Sequence, residues 1–220
     1  MMAELRERYR YELDELQREL LALGQLCDQA VRRAVWALRQ GAVGEARAII
    51  GDDDRIDDAA DALTQHATRV IATQGPVAGE LRLVSAFIQC ADELERIGDY
   101  AEGIAKVVLR LDGAPAGGVP ATLLAMAEDA RAMLNKALDG LVARDPAINL
   151  RLKEEDDRVD AGYERLLGEL TAQMERDPAM VQTGTYLLWV GHNLERIGDR
   201  STNIGEYVEY IVRGVISTRG

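Results

Sequence analysis

Leu94-Glu95-Arg96-Ile97-Gly98-Asp99 is repeated, residue for residue, at Leu194-Glu195-Arg196-Ile197-Gly198-Asp199. An identical six-residue string 100 positions later is not an accident of composition. A second match lies upstream of each copy. Asp53-Asp54-Arg55-Ile56-Asp57 parallels Asp156-Asp157-Arg158-Val159-Asp160 at an offset of 103. Gly75-Pro76 and Asp177-Pro178, offset by 102, mark a turn in both halves. The apolar series Leu20, Leu23, Ala30, Val31, Ala34, Val35, Leu38 maps at 103 onto Leu123, Met126, Met133, Leu134, Ala137, Leu138, Leu141. The chain is therefore a duplication of a unit of about a hundred residues. The clearest linker is Leu111–Pro120, LDGAPAGGVP. The expected division is residues 1–112, a linker at 113–120, and residues 121–220.

Each half reads as three helices. Apolar residues at helical spacing predict a first helix over 3–40, punctuated by Gly41 and Gly44. A second spans 45–73 and stops before Gly75-Pro76, and a third spans 77–110. The other half gives helices near 121–143, 146–175 and 179–213, with Pro146 suited to a first helical position. No strand pattern is present. Long helices with short turns make antiparallel neighbours. The expected fold is all-α, two tandem three-helix bundles with six long helices in total. The third and sixth helices carry the seams Phe87, Cys90, Leu94, Ile97, Ala101, Ile104, Val108 and Leu187, Val190, Leu194, Ile197, Ser201, Ile204, Val208. Gly98 and Gly198 interrupt those seams at a cost of about 1 kcal/mol each against alanine. A glycine kept in both copies points to the close approach of another backbone or of a ligand.

Composition narrows the function. Lys and Arg number 26 against 38 Asp and Glu, a net charge of −12. Nucleic-acid binding wants the opposite balance. The start of the chain is charged throughout and has no apolar run of the kind a signal peptide needs, which predicts a cytoplasmic protein. Cys27 and Cys90 are far apart, with no CxxC, and read as buried free thiols.

The acids beside the seams are the chemistry-bearing feature. Glu95 and Asp99 are four apart on one helical face, as are Glu195 and Asp199. They stand one position, about 100° around the helix, from the core stripe. Like charges at that spacing destabilise a helix by a few tenths of a kcal/mol, so two copies call for a reason. The second helices add Asp53/Asp57, Asp54/Asp58 and Asp57/Asp61, with Asp156/Asp160 as counterpart. Two facing helices that each present an acid pair suit a hard cation such as Mg, Ca, Mn or oxidised iron. Asn203 and Glu206 continue the polar edge of the sixth helix. The alternative is a solvated acidic face tied down by Arg55, Arg96, Arg158 and Arg196, each surface pair contributing ~0–1 kcal/mol.

LERIGDYAEGIA (94–105), LERIGDRSTNIGEYVEYIV (194–212) and GPVAGELR (75–82) resemble the signature stretches of the PhoU family. The resemblance extends over nearly the whole chain. It implies two three-helix bundles side by side, often as a homodimer. It implies a place at the cytoplasmic side of the phosphate ABC transporter, near the membrane only through partners. Such proteins are expected to link the transporter, through its ATPase subunit, to a sensor histidine kinase. They keep the phosphate-starvation response off when phosphate is plentiful, without catalysis. Some members bind iron or zinc clusters through Glu/Asp-x-x-x-Asp motifs, and manganese or magnesium suits the same oxygens. The matching positions are Asp53, Asp54, Asp57 and Asp58 with Glu95 and Asp99, then Asp156, Asp157 and Asp160 with Glu195, Asp199 and Asn203. Three positions depart from the pattern. Glu80 replaces the usual Asp, Gly103 replaces an Asn oxygen ligand, and Arg200 replaces a frequent His and sets a cation beside Asp199.

Other classes fit less well. A diiron carboxylate enzyme needs Glu-x-x-His on two helices, and neither His66 nor His192 lies three after a Glu. There is no GxSxG, no P-loop, and no glycine loop before a helix to cradle an anion. A metal-free helical interaction module, with the acids meeting a basic partner, also accommodates the residues.

Overall fold

The computed structural model describes residues 2–215, so residues 1 and 216–220 at the outer ends of the two expected halves lie outside it. The described residues are helical without a strand. They form α1 (Met2–Gln40), α2 (Val43–Asp52), α3 (Asp54–Gln74), α4 (Gly79–Leu111), α5 (Ala121–Ala143), α6 (Ile148–Arg176) and α7 (Val181–Arg213), with a 3₁₀ turn at Pro178–Met180 ahead of α7.

The ends follow local chemistry. Gly75 closes α3 in the left-handed conformation, φ 57°, and donates its N–H to the Ile71 carbonyl. Asp145 Oδ1 accepts from the Ala147 N–H at 3.0 Å, which turns the chain into α6. Asp177 does the same for Ala179 at 3.0 Å, ahead of the 3₁₀ turn. The expected starts at 146 and 179 therefore become capped turns, and the regular α-helices begin two residues later.

The second helix of the first half departs from expectation. It is broken at Asp53 into α2 and α3, whereas its counterpart α6 runs unbroken through Asp156. Ile56 N–H and Asp57 N–H both reach the Asp53 carbonyl, at 2.8 and 3.2 Å, which tightens the turn locally. Gly51-Asp52-Asp53-Asp54 is poor helix sequence where α6 has Glu154-Glu155-Asp156-Asp157. Arg33 of α1 also holds Asp52 at 2.7 Å and fixes the end of α2.

Each half is a three-helix bundle, and both share one continuous core. α4 and α7 form the largest helix–helix contact, and α1 lies on α5. Glu93 of α4 meets Asn203 of α7, and Gly103 of α4 meets Asn193 of α7, so these two helices cross antiparallel about a pseudo-two-fold axis. Leu94, Ile97, Ile104, Leu194, Ile197 and Ile204 are fully buried along that crossing. Each such side chain contributes about 1.5–3 kcal/mol of transfer free energy. Cys27 and Cys90 are buried free thiols, and Cys27 donates to the Leu94 carbonyl at 3.1 Å.

The candidate acid sites of the two repeats

Each repeat sets acids of its second helix against acids of its third. The glycine of the repeated string makes this possible. A Cβ on Gly98 would lie 2.9 Å from Ile56 Cγ2 and 3.4 Å from Asp53 Oδ1. On Gly198 it would lie 3.0 Å from Asp156 Oδ1 and 3.6 Å from the Met133 thioether. The close approach expected at these glycines is thus made by side chains of the facing helices. The first acid of each set is drawn over the seam, and only the later ones stay at its margin.

In the first repeat Asp53, Asp57, Glu95 and Asp99 come together. Burial pushes the Asp53 carboxyl up to about 6, with Glu102, Asp57 and Asp99 adding to it and Lys106 opposing. Asp57 is raised by desolvation and by Asp99. Glu95 is raised by desolvation, then Asp57 and Asp99. Asp99 is raised by desolvation and Glu102, with Lys106 and Arg96 opposing. Asp54 and Asp58 are exposed on the outer face of α3. Two members of this site were missed in the sequence. Glu102 continues the stripe Glu95, Asp99 at the next helical step, and Lys106 is bonded to it. The i, i+4, i+7 spacing was the signal.

In the second repeat Asp156, Asp160, Glu195 and Asp199 come together. Burial pushes the Asp156 carboxyl up to about 7, followed by Asp199, Asp160, Asp157 and Glu195, all acting in the same direction. Asp160 is raised by desolvation, Glu195 and Asp199. Asp156 Oδ1 is buried without a hydrogen-bond partner. Asp157 is exposed. Where the first repeat has Lys106, the second has Glu206, which is paired with Lys153 at 3.2 Å. Arg196 donates to Asp199 at 2.7 Å and partly neutralises it. His192 lies at the edge, Nδ1 3.1 Å from Glu195 Oε2.

Arg200 and Asn203 are placed elsewhere. Arg200 was expected to set its charge beside Asp199, but its guanidinium crosses to Glu93 of α4 at 3.1 Å. The Asn203 amide donates to the same Glu93 oxygen at 3.2 Å. Glu93 is 8% exposed. A buried carboxylate at the interface needs such partners, and this need outweighs the pull of the more exposed Asp199. Asn203 thus ties the two repeats together and is not turned to the acids of α6.

The donor set is one of carboxylate oxygens, the chemistry that hard divalent cations favour, and the partnerless Asp156 oxygen in the second repeat fits such a group. The acids stand as facing pairs. Among the described residues no three or more His, Cys, Asp or Glu side chains close on one point.

The comparisons agree with this architecture. The family model described as the PhoU domain matches residues 20–108 and again 123–208. The phosphate-specific transport system accessory protein PhoU homolog of Rhizobium meliloti is 35% identical over 207 residues, 92% of this chain and 86% of that protein. The homolog of Clostridium acetobutylicum is 33% identical, over 95% of this chain and 96% of its own. The crystal structure of PhoU from Pseudomonas aeruginosa superposes with a TM-score of 0.86 at 31% identity, covering 94% of this chain and all of that one. That of the phosphate transport system regulatory protein PhoU from Streptococcus pneumoniae gives 0.89 at 28%, covering 96% of this chain and all of that one. With the family domain matched in both halves and relatives above 30% identity along nearly the full length, the chain belongs to the PhoU family.

Proposed function

We propose that this protein is a non-catalytic negative regulator of phosphate uptake and of phosphate-starvation signalling. It acts in the cytoplasm as an adaptor between the ATPase subunit of a phosphate ABC transporter and a sensor histidine kinase. The carrying observation is the PhoU domain matched twice, at residues 20–108 and 123–208. Two like units, expected at 1–112 and 121–220 with 113–120 between them, would offer two faces, one for each partner. A homodimer would double both. Bias on the kinase requires the protein to bind its two signalling states with different affinity.

The acid sites supply a second component of this reading. Asp156, Asp160, Glu195 and Asp199 would hold a divalent cation, and Asp53, Asp57, Glu95 and Asp99 a weaker one beside Lys106. Such an ion would neutralise acids that now repel one another and stiffen the α6–α7 and α3–α4 pairs. Asp54, Asp58 and Asp157 would remain at its rim. Iron, zinc, manganese and magnesium are the candidates. A metal-free reading has its own support in the Arg196–Asp199 bond, which already meets part of the charge. The acids would then face a basic patch on a partner.

The test is genetic. In a strain lacking the gene, a phosphate-starvation reporter should be on in high-phosphate medium, and this chain should silence it. A reporter that stays off in the deletion strain, with no second gene of the family present, sinks the regulatory reading. Metal analysis of purified protein separates the two versions of the acid sites. Bound metal lost in Asp156→Asn with Glu195→Gln supports the cation. Repression unchanged by chelation supports the basic partner.

A further inference from the structure

Away from the acid sites, His66 of α3 has its ring between two carboxylates of α1. Its Nδ1 lies 3.0 and 2.9 Å from the two carboxylate oxygens of Glu19. Its Nε2 lies 2.9 Å from Glu12 Oε2. The His66 side chain is 16% exposed. Glu12 and Glu19 are seven apart, two turns of α1, so one ring bridges them.

The chemistry of the three groups is restrictive. An ionised carboxylate only accepts hydrogen bonds. A neutral imidazole has one N–H and one lone pair, so it serves one acid and turns a lone pair to the other. Only the doubly protonated ring donates to both. Other charges nearby do little to replace it. Arg8 of α1 is 3.9 Å from the far oxygen of Glu12, and Arg18 is paired with Glu15. Among the described residues no lysine or arginine of α3 or α4 is paired with Glu12 or Glu19.

We propose that His66 is a proton-operated fastener between α1 and α3, closed when its ring donates to both Glu12 and Glu19 and loosened when it gives up a proton. Burial alone would lower the histidine, but the bonds to Glu12 and Glu19 and their charge outweigh it and hold it above 6.5. A folded-state value raised above the unfolded one gives a contribution fully present below the ordinary value. That contribution is lost as pH rises through the folded value. The fastener therefore opens on the alkaline side of 6.5.

The second repeat lacks the device. Position 19 corresponds to Thr122 and position 66 to Glu169, and there the Thr122 hydroxyl donates to Glu169 at 2.7 Å. That contact has the same place in the fold and contains no imidazole. Proton control is thus confined to the first repeat. Beneath the fastener lie Leu16 and Leu20 of α1 and Leu63 and Ala67 of α3, all buried.

The experiment follows the His66 ring by NMR against pH, its signal told from that of the chain's other histidine by its loss in His66→Gln. Amide exchange of residues 9–20, corrected for its intrinsic pH dependence, is measured alongside. The His66 ring should titrate above the ordinary imidazole value of 6.5. Protection of residues 9–20 should fall with its deprotonation, by roughly tenfold for each pH unit that its titration is raised. In His66→Gln protection should be lower and flat over that range. Glu19→Gln should bring the His66 titration back toward 6.5 while leaving the fold intact. A ring that titrates at or below 6.5 overturns the proposal, as does protection that stays constant while the ring deprotonates. So does the same pH dependence persisting in His66→Gln.

Discussion

Asp28 and Arg131 occupy equivalent positions of the two repeats, 103 residues apart, and are bonded to each other. Arg131 Nε lies 2.9 Å from Asp28 Oδ1, and its Nη2 lies 3.0 Å from Oδ2. The pseudo-two-fold axis passes between them, where α1 lies on α5. Two identical charges would repel at this point, so the pairing depends on the repeats having diverged. The Arg131 and Asp28 side chains are 20% and 18% exposed, and the fork is bidentate. Both features lift the pair above an ordinary surface salt bridge. Asp28→Ala or Arg131→Ala should each cost about 1–2 kcal/mol. Urea unfolding of the single and double variants should give a coupling of about 1 kcal/mol. A coupling near zero would show that this pair adds nothing to the packing of α1 on α5.

Asp156 opposes folding at neutral pH. Its carboxyl is pushed up to about 7 by burial and by four neighbouring acids. A carboxyl raised above its unfolded value favours the folded state when protonated. Stability therefore falls as pH rises from about 4 to about 7. Asp156→Asn keeps the shape and removes the charge. With discount for its solvent access, it should stabilise the protein by about 1–2 kcal/mol at pH 7 and by nothing at pH 4. Thermal unfolding at both pH values reads this directly. A divalent cation held at the site should raise the wild-type midpoint and leave Asp156→Asn unmoved.

The duplication made most of the fold legible, because apolar periodicity and paired turn residues recur in register. That each helix carries an acid pair on one face was legible too, from i, i+4 spacing, but Asp54, Asp58, Asp157 and Asn203 were expected at the sites and lie away from them. The break at Asp53 was not, since it arises where a glycine and three aspartates meet the grip of Arg33 on Asp52. The direction of Arg200 and Asn203 was hidden for another reason. Both are set by Glu93, and periodicity within one helix does not reveal which neighbour will bury an acid. Lys106 was legible as an i, i+4 partner of Glu102, but its place against Asp53 became visible only once α3 and α4 were side by side.

Gly98 and Gly198 differ in what an added methyl meets. At Gly98 the obstacle is Ile56, with Cγ2 at 2.9 Å and Cδ1 at 3.1 Å, inside a packed core. At Gly198 it is Asp156 Oδ1 at 3.0 Å, with Met133 at 3.6 Å. Alanine gains about 1 kcal/mol of helix propensity at either site, and overpacking costs about 1–3 kcal/mol. Gly98→Ala should be net destabilising by about 1 kcal/mol. Gly198→Ala should be near neutral, since a half-exposed aspartate moves more easily than a buried isoleucine. It should instead push Asp156 outward and weaken any cation held there. Chemical denaturation compares the stabilities, and titration with Mn or Zn compares the sites.

The polar tie at the α4–α7 crossing is lopsided. On one side Glu93 receives Arg200 and Asn203. On the equivalent side stand Asn193 and Gly103, and the Asn193 Nδ2 is buried without a partner. A Cβ on Gly103 would lie 2.8 Å from that nitrogen. Gly103→Ala alone should therefore gain little from its better helix propensity, because the methyl meets an amide that is 5% exposed. Asn193→Ala removes both the obstacle and an unsatisfied donor, a penalty of about 1–3 kcal/mol when buried. The combined variant should be more stable than the sum of the single changes predicts. Thermal unfolding of the four proteins measures that excess. Strict additivity would mean that the Asn193 side chain swings clear of α4 and that the crossing is looser than Gly103 implies.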